Sequence, residues 1–504
     1  MPHAHNFPAE RFLSAFPLPC DAEIVVIDLG KTLAKVSLWS ADGRCIDRHA
    51  RPNARVESDG IARLDAAGIA AWLESTLALW QWRPIGAIVP VGHGAAAAAL
   101  VDGALAFAPF DYEAALPADL LTQYRALRAP FAQTGSPALP QGLNLGAHLF
   151  WMERVHGPAM ARATLLPWAQ YWAWWLSGVA VSEATSLGCH TDLWNPARAE
   201  FSDLARSQGW DTRFAPVVPA NRAIGTLRPD LAARTGLPAT TRVLAGLHDS
   251  NAALHAARGF AEIGAGTEHG DVTVLSTGTW FIAMRPGADP ASLAALPEGR
   301  DCLINVDCFG RPVASARFMG GREIESLIEL DTRRVDIRPD QPHLIAAVPR
   351  VLATGAMHLP TLAPGCGPFP DHAGRWVNAP GNWYERRAAA CLYAALVADR
   401  ALDLVGARST LLVEGRFAHA QVFVRALASL RPDLALHVAH ADSDVSFGAL
   451  RLVDPALTPP GNLMRVVPLD HTLEAYRMAW TAAVADSLIS QDGTGPLPHP
   501  TTLR

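Results

Sequence analysis

A glycine bend between two β-prone segments occurs twice in this chain, and the two copies stand 248 residues apart, about half its length. The first is EIVVIDLGKTLAKVSLWSADGR, Glu23 to Arg44; the second is VTVLSTGTWFIAM, Val272 to Met284. Aligning Gly30 with Gly278 sets Asp28-Leu29-Gly30-Lys31-Thr32 against Ser276-Thr277-Gly278-Thr279-Trp280. Recurrence at this spacing points to two domains that each open with the same hairpin. A chain of 504 residues is also too long for a single core. With half of the residues apolar and 18% charged, both domains have enough material for large cores.

Gly30-Lys31-Thr32 looks like the tail of a P-loop, but the glycine that a P-loop needs five positions earlier is replaced by Val25. A P-loop also runs from a strand into a helix. Here Ile24-Val25-Val26-Ile27 reads as a buried strand, and Lys35-Val36-Ser37-Leu38-Trp39 alternates as a second one. Ala41-Asp42-Gly43 then signals a hairpin, with a third short strand at Cys45-Ile46-Asp47. The segment is a strand meander with the glycine in its first turn. Such a turn lets backbone N–H groups approach an anion, with Lys31 and Thr32 as added donors, and Asp28 at the strand end is placed to hold magnesium through water. An ordinary Asp-Gly-Thr turn is the bland alternative. The second copy favours a nucleotide clamped between two lobes.

Composition removes several partners. The net charge of −6 comes without a basic stripe, which argues against nucleic acid and an acidic membrane surface. Seven scattered cysteines, with no C-x-x-C pair, argue against a disulfide framework or zinc site and for a reducing cytoplasm. The N-terminal MPHAHNFPAERFLSAFPLPC is a poor signal peptide. The most apolar window, GAIVPVGHGAAAAALVDGALAFAPF, is interrupted by His93, Asp102 and glycines, and reads as soluble core.

Further along, AGLHDSNAALHAA reads as a strand end at Val243-Leu244-Ala245, a bend at Gly246 and an Ala-rich helix from Ser250 to Ala257. LLVEGRFAHAQVFVRAL reads as a strand at Leu411-Leu412-Val413, a turn at Glu414-Gly415 and a helix from Ala418 to Leu427. With these two segments and the two hairpins, the chain resembles the FGGY family of carbohydrate kinases over nearly its whole length and in the right order. The His248-Asp249-Ser250 run is similar to the rhamnulose and fuculose kinases. The Gly-Lys-Thr turn, VGHGAAAAAL, FDYE and MGGREIE look closer to a less characterised bacterial branch.

The resemblance implies an α/β chain of the two-domain actin/hexokinase/Hsp70-like ATPase fold. Two ribonuclease H-like domains, each a mixed sheet with flanking helices, would surround a central cleft. Residues 1–245 would carry the sugar site and first phosphate hairpin, and residues 246–504 the second hairpin and adenosine site. It also implies ATP and Mg2+ as cofactors and cytoplasmic transfer of a γ-phosphate to a ketose (pentulose or 6-deoxyhexulose) or related polyol. A sugar and ATP are then the small-molecule partners, and a homodimer is left open.

Within that frame Asp249 would be the general base that takes the proton of a sugar hydroxyl; an N-cap is its plain alternative. Asp28 would hold magnesium. Gly30, Lys31 and Thr32 would meet the phosphates from one lobe, and Ser276, Thr277, Gly278 and Thr279 from the other. Relatives usually carry threonine or serine in place of Lys31, which reads as an added phosphate clamp or as a surface residue. The glycine pair Gly320-Gly321 and the segment Glu414-Gly415 fall to the nucleotide side. The family commonly has two glycines at the latter, so Glu414 bears on nucleotide preference. His93, Gly94, Asp111, Tyr112 and His248 fall to the sugar side, together with Asp249. Glu113 stands where many relatives have an arginine, and a turn histidine without a ligand is the alternative for His93. LPTLAPGCGPFPDHAG reads as a loop, Asp442-Ser443-Asp444 as a helix cap and SQDGTGPLPHPTTLR as a frayed tail. Two other functions remain on this fold: a sugar- and nucleotide-sensing regulator without turnover, and a phosphatase or other ATPase.

Overall fold

The computed structural model describes residues 18–487 apart from 20, 140–141, 265–271, 333, 364 and 440–444. The helix cap at 442–444, most of the N-terminal stretch and the C-terminal tail therefore lie outside the described residues. Among those described, six cysteines are all free, and no helix is long and apolar enough to cross a membrane.

Two seven-stranded sheets organise the chain, and both are built on the hairpin read from sequence. In the first, strand Glu23–Leu29 pairs antiparallel with Leu33–Trp39, which pairs with Cys45–Pro52. The third strand runs five residues beyond the short segment read there. On its other side Glu23–Leu29 lies parallel to Ile85–Gly92, followed by the parallel strands Arg242–Leu244 and Leu247–His248. In the second sheet Val272–Thr277 pairs antiparallel with Phe281–Pro286, which pairs with Pro312–Phe318. Across its other edge Val272–Thr277 is parallel to Ser409–Gly415, which is parallel to Leu434–Ala439. Leaving aside the added edge strand Cys302–Val306 of the second sheet, each lobe has the strand order 3-2-1-4-5 about its hairpin, so the duplication extends from the turn to the central strands.

The reading around Glu414 and Gly415 is corrected. Both residues complete strand Ser409–Gly415 rather than forming a turn. A short 3-10 segment, Arg416–His419, precedes the helix, which begins at Gln421 and ends at Leu430. The glycine is needed there: Gly415 has φ +84°, and a Cβ would stand 2.4 Å from the Thr277 carbonyl.

Helix Asp249–Ala257 is wedged between the sheets, because both of its faces are apolar. Ala252 and Ala256 pack into the cluster with Val26, Val89, Val91 and Leu247 of the first sheet. Leu254 and Ala257 pack with Val272, Val274 and Leu412 of the second. Helix Val445–Val453 comes from the far end of the chain, yet Phe447, Ala449, Leu450 and Val453 complete the core over the first sheet. The two halves of the chain therefore interlock.

Candidate active site

Ligands of open α/β sheets gather at the carboxyl ends of parallel strands. Three such ends meet in the first lobe. Leu29 registers with Gly92, and His248 also registers with Gly92, so Asp28, the turn 30–32, His93 and His248-Asp249 emerge side by side. Asp28 is buried and accepts a hydrogen bond from Lys35 Nζ at 3.1 Å.

Asn53 fixes the turn that follows. Its Nδ2 donates to the carbonyls of Gly30 at 2.8 Å and Lys31 at 3.5 Å, and its backbone N–H donates to Thr32 O at 2.9 Å. In a trans peptide the N–H points opposite to the C=O. Carbonyls drawn onto Asn53 therefore turn the Lys31 and Thr32 N–H groups the other way, as an anion-holding turn requires.

The bend before Asp249 is possible only for glycine. Gly246 has φ +75°, and a Cβ there would stand 2.0 Å from the Pro90 carbonyl. Gln170 Nε2, on helix Trp168–Ser177, donates to Ala245 O and Gly246 O and secures the same bend. Thr185 Oγ1 then accepts the His248 N–H at 2.9 Å, while buried Glu183 accepts from the Thr185 hydroxyl and from the N–H groups of Thr185 and Ser186. Burial pushes the Glu183 carboxyl up to about 7. Gly94 lets the chain pass close to the same ring, for a Cβ would lie 2.8 Å from His248 Nε2 and 3.0 Å from Cys189 Sγ.

Asp249 is the first residue of its helix; His248 occupies the N-cap. The Asp249 carboxylate accepts from Ser250 N at 2.6 Å and lies 3.3 Å from His248 Nε2. Burial raises its pKa, opposed by the hydrogen bonds from the Ser250 N–H and hydroxyl, and its side chain keeps 30% exposure at the site. Burial also lowers His93 and pushes His248 down to about 4, so both rings are neutral at physiological pH. His93 Nδ1 faces Gly94 O at 2.7 Å, and since a carbonyl only accepts, Nδ1 carries the proton. His93 Nε2 is then a bare acceptor, buried and without a partner among the described residues.

Asp111 and Tyr112 join this cluster through Lys31. The Lys31 ammonium donates to Asp111 and lies over the Tyr112 ring, which packs edge-on against His93 at 5.3 Å. Lys31, Thr32, His93, Asp111, Glu113 and Trp168 line a shared cavity of about 190 Å³. Lys31, expected to donate to phosphate, is thus engaged with Asp111, an acid expected on the sugar side.

The second lobe assembles its residues at the corresponding strand ends. Ser276 registers with Glu414 and Thr277 with Gly415, and the turn Gly278–Trp280 closes with Gly278 N donating to Trp280 O at 3.0 Å. The Thr277 hydroxyl donates to Glu414 O and accepts from Phe417 N, so it ties the hairpin to the neighbouring strand, whereas Thr279 is exposed at the tip. The Glu414 carboxyl is bonded to Ser276, and burial pushes it up to about 8. Gly320 and Gly321 begin helix Gly320–Ile328. A Cβ on Gly321 would lie 1.9 Å from Gly278 O, so the pair acts by packing this helix directly against the hairpin.

The donor set fits a magnesium ion of limited protein ligation. Among the described residues no group of three or more His, Cys, Asp or Glu side chains could cage a metal. Asp28 offers a single buried carboxylate at the strand end, which suits an ion held mainly by water and phosphate oxygens.

Asn53, Glu183, Thr185 and Gln170 reach the site from segments whose sequence carries no motif. Asn53, Thr185 and Gln170 act through contacts 21 to 76 residues away; only Glu183-Ala184-Thr185, with an acid two residues before its partner, offers a local capping signal.

A profile of the carbohydrate kinase FGGY C-terminal domain matches residues 269–460. A carbohydrate kinase from Novosphingobium aromaticivorans, of known crystal structure, is 60% identical, with a TM-score of 0.88 over 93% of this chain and 99% of that one. A xylulose kinase from Rhodospirillum rubrum shares the fold at 18% identity, with a TM-score of 0.72 over 92% of this chain and 98% of that one. An L-fuculokinase from Salmonella typhi is 34% identical over 133 residues, a match that spans 26% of each chain. The fold is the two-lobed actin/hexokinase-like ATPase fold. The chain belongs to the FGGY family of carbohydrate kinases.

Proposed function

We propose that the protein transfers the γ-phosphate of ATP to a hydroxyl of a ketose, a pentulose or 6-deoxyhexulose, or of a related polyol. The observation that carries this reading is the placement of Asp249. It starts the helix wedged between the lobes, beside two neutral histidines and the first glycine turn. An alcohol is a poor nucleophile, and a carboxylate within reach takes its proton as the O–P bond forms, while the phosphoryl group leaves ADP. The acceptor would lie against His93, Gly94, Asp111, Tyr112 and His248, with His93 Nε2 accepting a hydrogen bond from one hydroxyl. The turn Gly30, Lys31 and Thr32 and the hairpin Ser276, Thr277, Gly278 and Thr279 would hold the phosphates from opposite lobes. Gly320, Gly321, Glu414 and Gly415 shape the nucleotide side. Magnesium, carried in by the nucleotide and steadied by Asp28 through water, would supply charge neutralisation.

We assign the acceptor domain to residues 1–245 and the nucleotide domain to residues 246–504, in a cytoplasmic enzyme. The ketose preference draws support from the fuculokinase and xylulose kinase relatives. Coupled ADP release across a panel of ketoses and polyols with ATP and magnesium tests the reading. Turnover with at least one ketose is expected, and Asp249→Asn is expected to lower kcat by a factor of roughly 10²–10⁴ with nucleotide affinity unchanged. Unchanged turnover in that variant removes the base. Thermal stabilisation by a sugar without any ADP release would instead favour a sensing regulator, and phosphate release from a sugar phosphate without nucleotide would favour a phosphatase.

A further inference from the structure

Lys31 belongs to the first glycine turn by sequence and to the acceptor pocket by contact. Its ammonium donates to Asp111, lies 3.8 Å from Glu113 and stands 5.2 Å from the centre of the Tyr112 ring. The pair is largely withdrawn from water, with 18% of the Lys31 side chain and 1% of the Asp111 side chain exposed. Asp111 accepts one further hydrogen bond, from Glu113 N at 2.9 Å. On either side of Lys31, Gly30 and Thr32 are fixed by Asn53, so the backbone of the turn is set while the long side chain is free to choose its anion.

We propose that Lys31 is shared between the two substrates. With the acceptor pocket empty it neutralises Asp111. When a sugar hydroxyl donates to Asp111, the ammonium is released to the terminal phosphates of the nucleotide, held by the same turn. A buried carboxylate resists losing its paired cation unless another donor replaces it, and a hydroxyl in that cavity is such a donor. Lysine suits the exchange because its charge is compact and its stem flexible, with three donors that impose no fixed fork. The phosphate hairpin would then acquire its full charge only after the acceptor has arrived, which restrains hydrolysis of ATP by water. The cavity lining also bears on the acceptor class: Asp65, Asp111 and Glu113 stand against Lys31 and Arg55, so a neutral polyhydroxylated acceptor fits better than a sugar acid.

This inference rests on the kinase reading above, and its test separates the two. Affinity of the full chain for a non-hydrolysable ATP analogue with magnesium is measured by calorimetry, with and without the ketose that supports turnover. Wild-type affinity is expected to rise about tenfold with the sugar, within the usual range of coupling between two sites. Lys31→Met is expected to show equal affinity in both conditions. Asp111→Asn, without any sugar, is expected to gain the tighter affinity, and the double variant Asp111→Asn, Lys31→Met to lose it again. A wild-type affinity indifferent to sugar, or an Asp111→Asn affinity equal to wild type, overturns the proposal. Should Asp111→Asn fail to fold, the Lys31→Met comparison decides alone. If no sugar supports turnover, the kinase reading falls, while the sugar-free comparison of Asp111→Asn with the double variant still decides whether Asp111 holds Lys31 back.

Discussion

The surroundings of Asp249 disfavour a charge on its carboxyl. Burial raises its pKa from the ordinary 3.8, and the Ser250 N–H together with the positive end of helix Asp249–Ala257 restrains that rise. A general base works only when ionised. The acid limb of kcat/KM is therefore expected above pH 3.8, with activity falling as pH drops through the raised value. A profile flat down to that value would exclude Asp249 as the group being titrated. His93 and His248 are both lowered by burial, His248 to about 4, so neither titrates near the ordinary imidazole value.

At the scale of elements, each hairpin depends on a neighbour that touches its backbone. Asn53 takes the carbonyls of the first turn, and Asn53→Ala is expected to raise the KM for ATP several-fold while leaving the KM for sugar nearly unchanged. Equal effects on both constants would mean that Asn53 only stabilises the lobe. In the second hairpin the neighbour is strand Ser409–Gly415, with Glu414 buried beside Ser276. A carboxyl raised to about 8 keeps its proton in the folded chain while the unfolded chain releases it near 4.5. The unfolded state therefore binds fewer protons between those values, and stability falls as pH rises across that window. Glu414→Gln removes the titration, so melting temperatures of the variant are expected to vary less between pH 5 and 8 than those of wild type, with the gain in stability largest at about pH 8.

The whole molecule is held by segments that cross between its halves. Arg128 reaches Glu298 at 3.2 Å, and Ile304 N donates to Gly135 O at 2.8 Å, tying the first lobe to the second sheet. Helices Asp249–Ala257 and Val445–Val453 cover the face formed by Ile24, Val26, Val89 and Val91. Each such apolar side chain contributes about 1.5–3 kcal/mol on burial, so uncovering four or more removes an amount comparable to a domain's whole stability. Residues 21–245 expressed alone are therefore expected to bind a hydrophobic dye and to melt without a cooperative transition, whereas a chain extending through Val453 melts cooperatively. A cooperative fragment would show that the first sheet needs no cover from the second half.

The two glycine hairpins, the strands beside them and the helix after Asp249 were legible in the sequence because their signals are local: alternation, a bend residue and a helix start lie within a dozen positions. Their repetition pointed to two domains that open alike, and the family resemblance supplied the mixed sheet expected in each. Tertiary structure alone decided where Lys31 points. A turn residue flanked by Gly30 and Thr32 faces phosphate or acid according to what stands opposite, and Asp111 arrives there from 80 residues away. It decided likewise that Gly415 ends a strand, since its neighbour Thr277 lies 138 residues back, and that helix Val445–Val453 belongs to the first core. Short-range conformational preference is written along the chain, but an ion pair or a packed face needs two distant segments, and only folding brings them together.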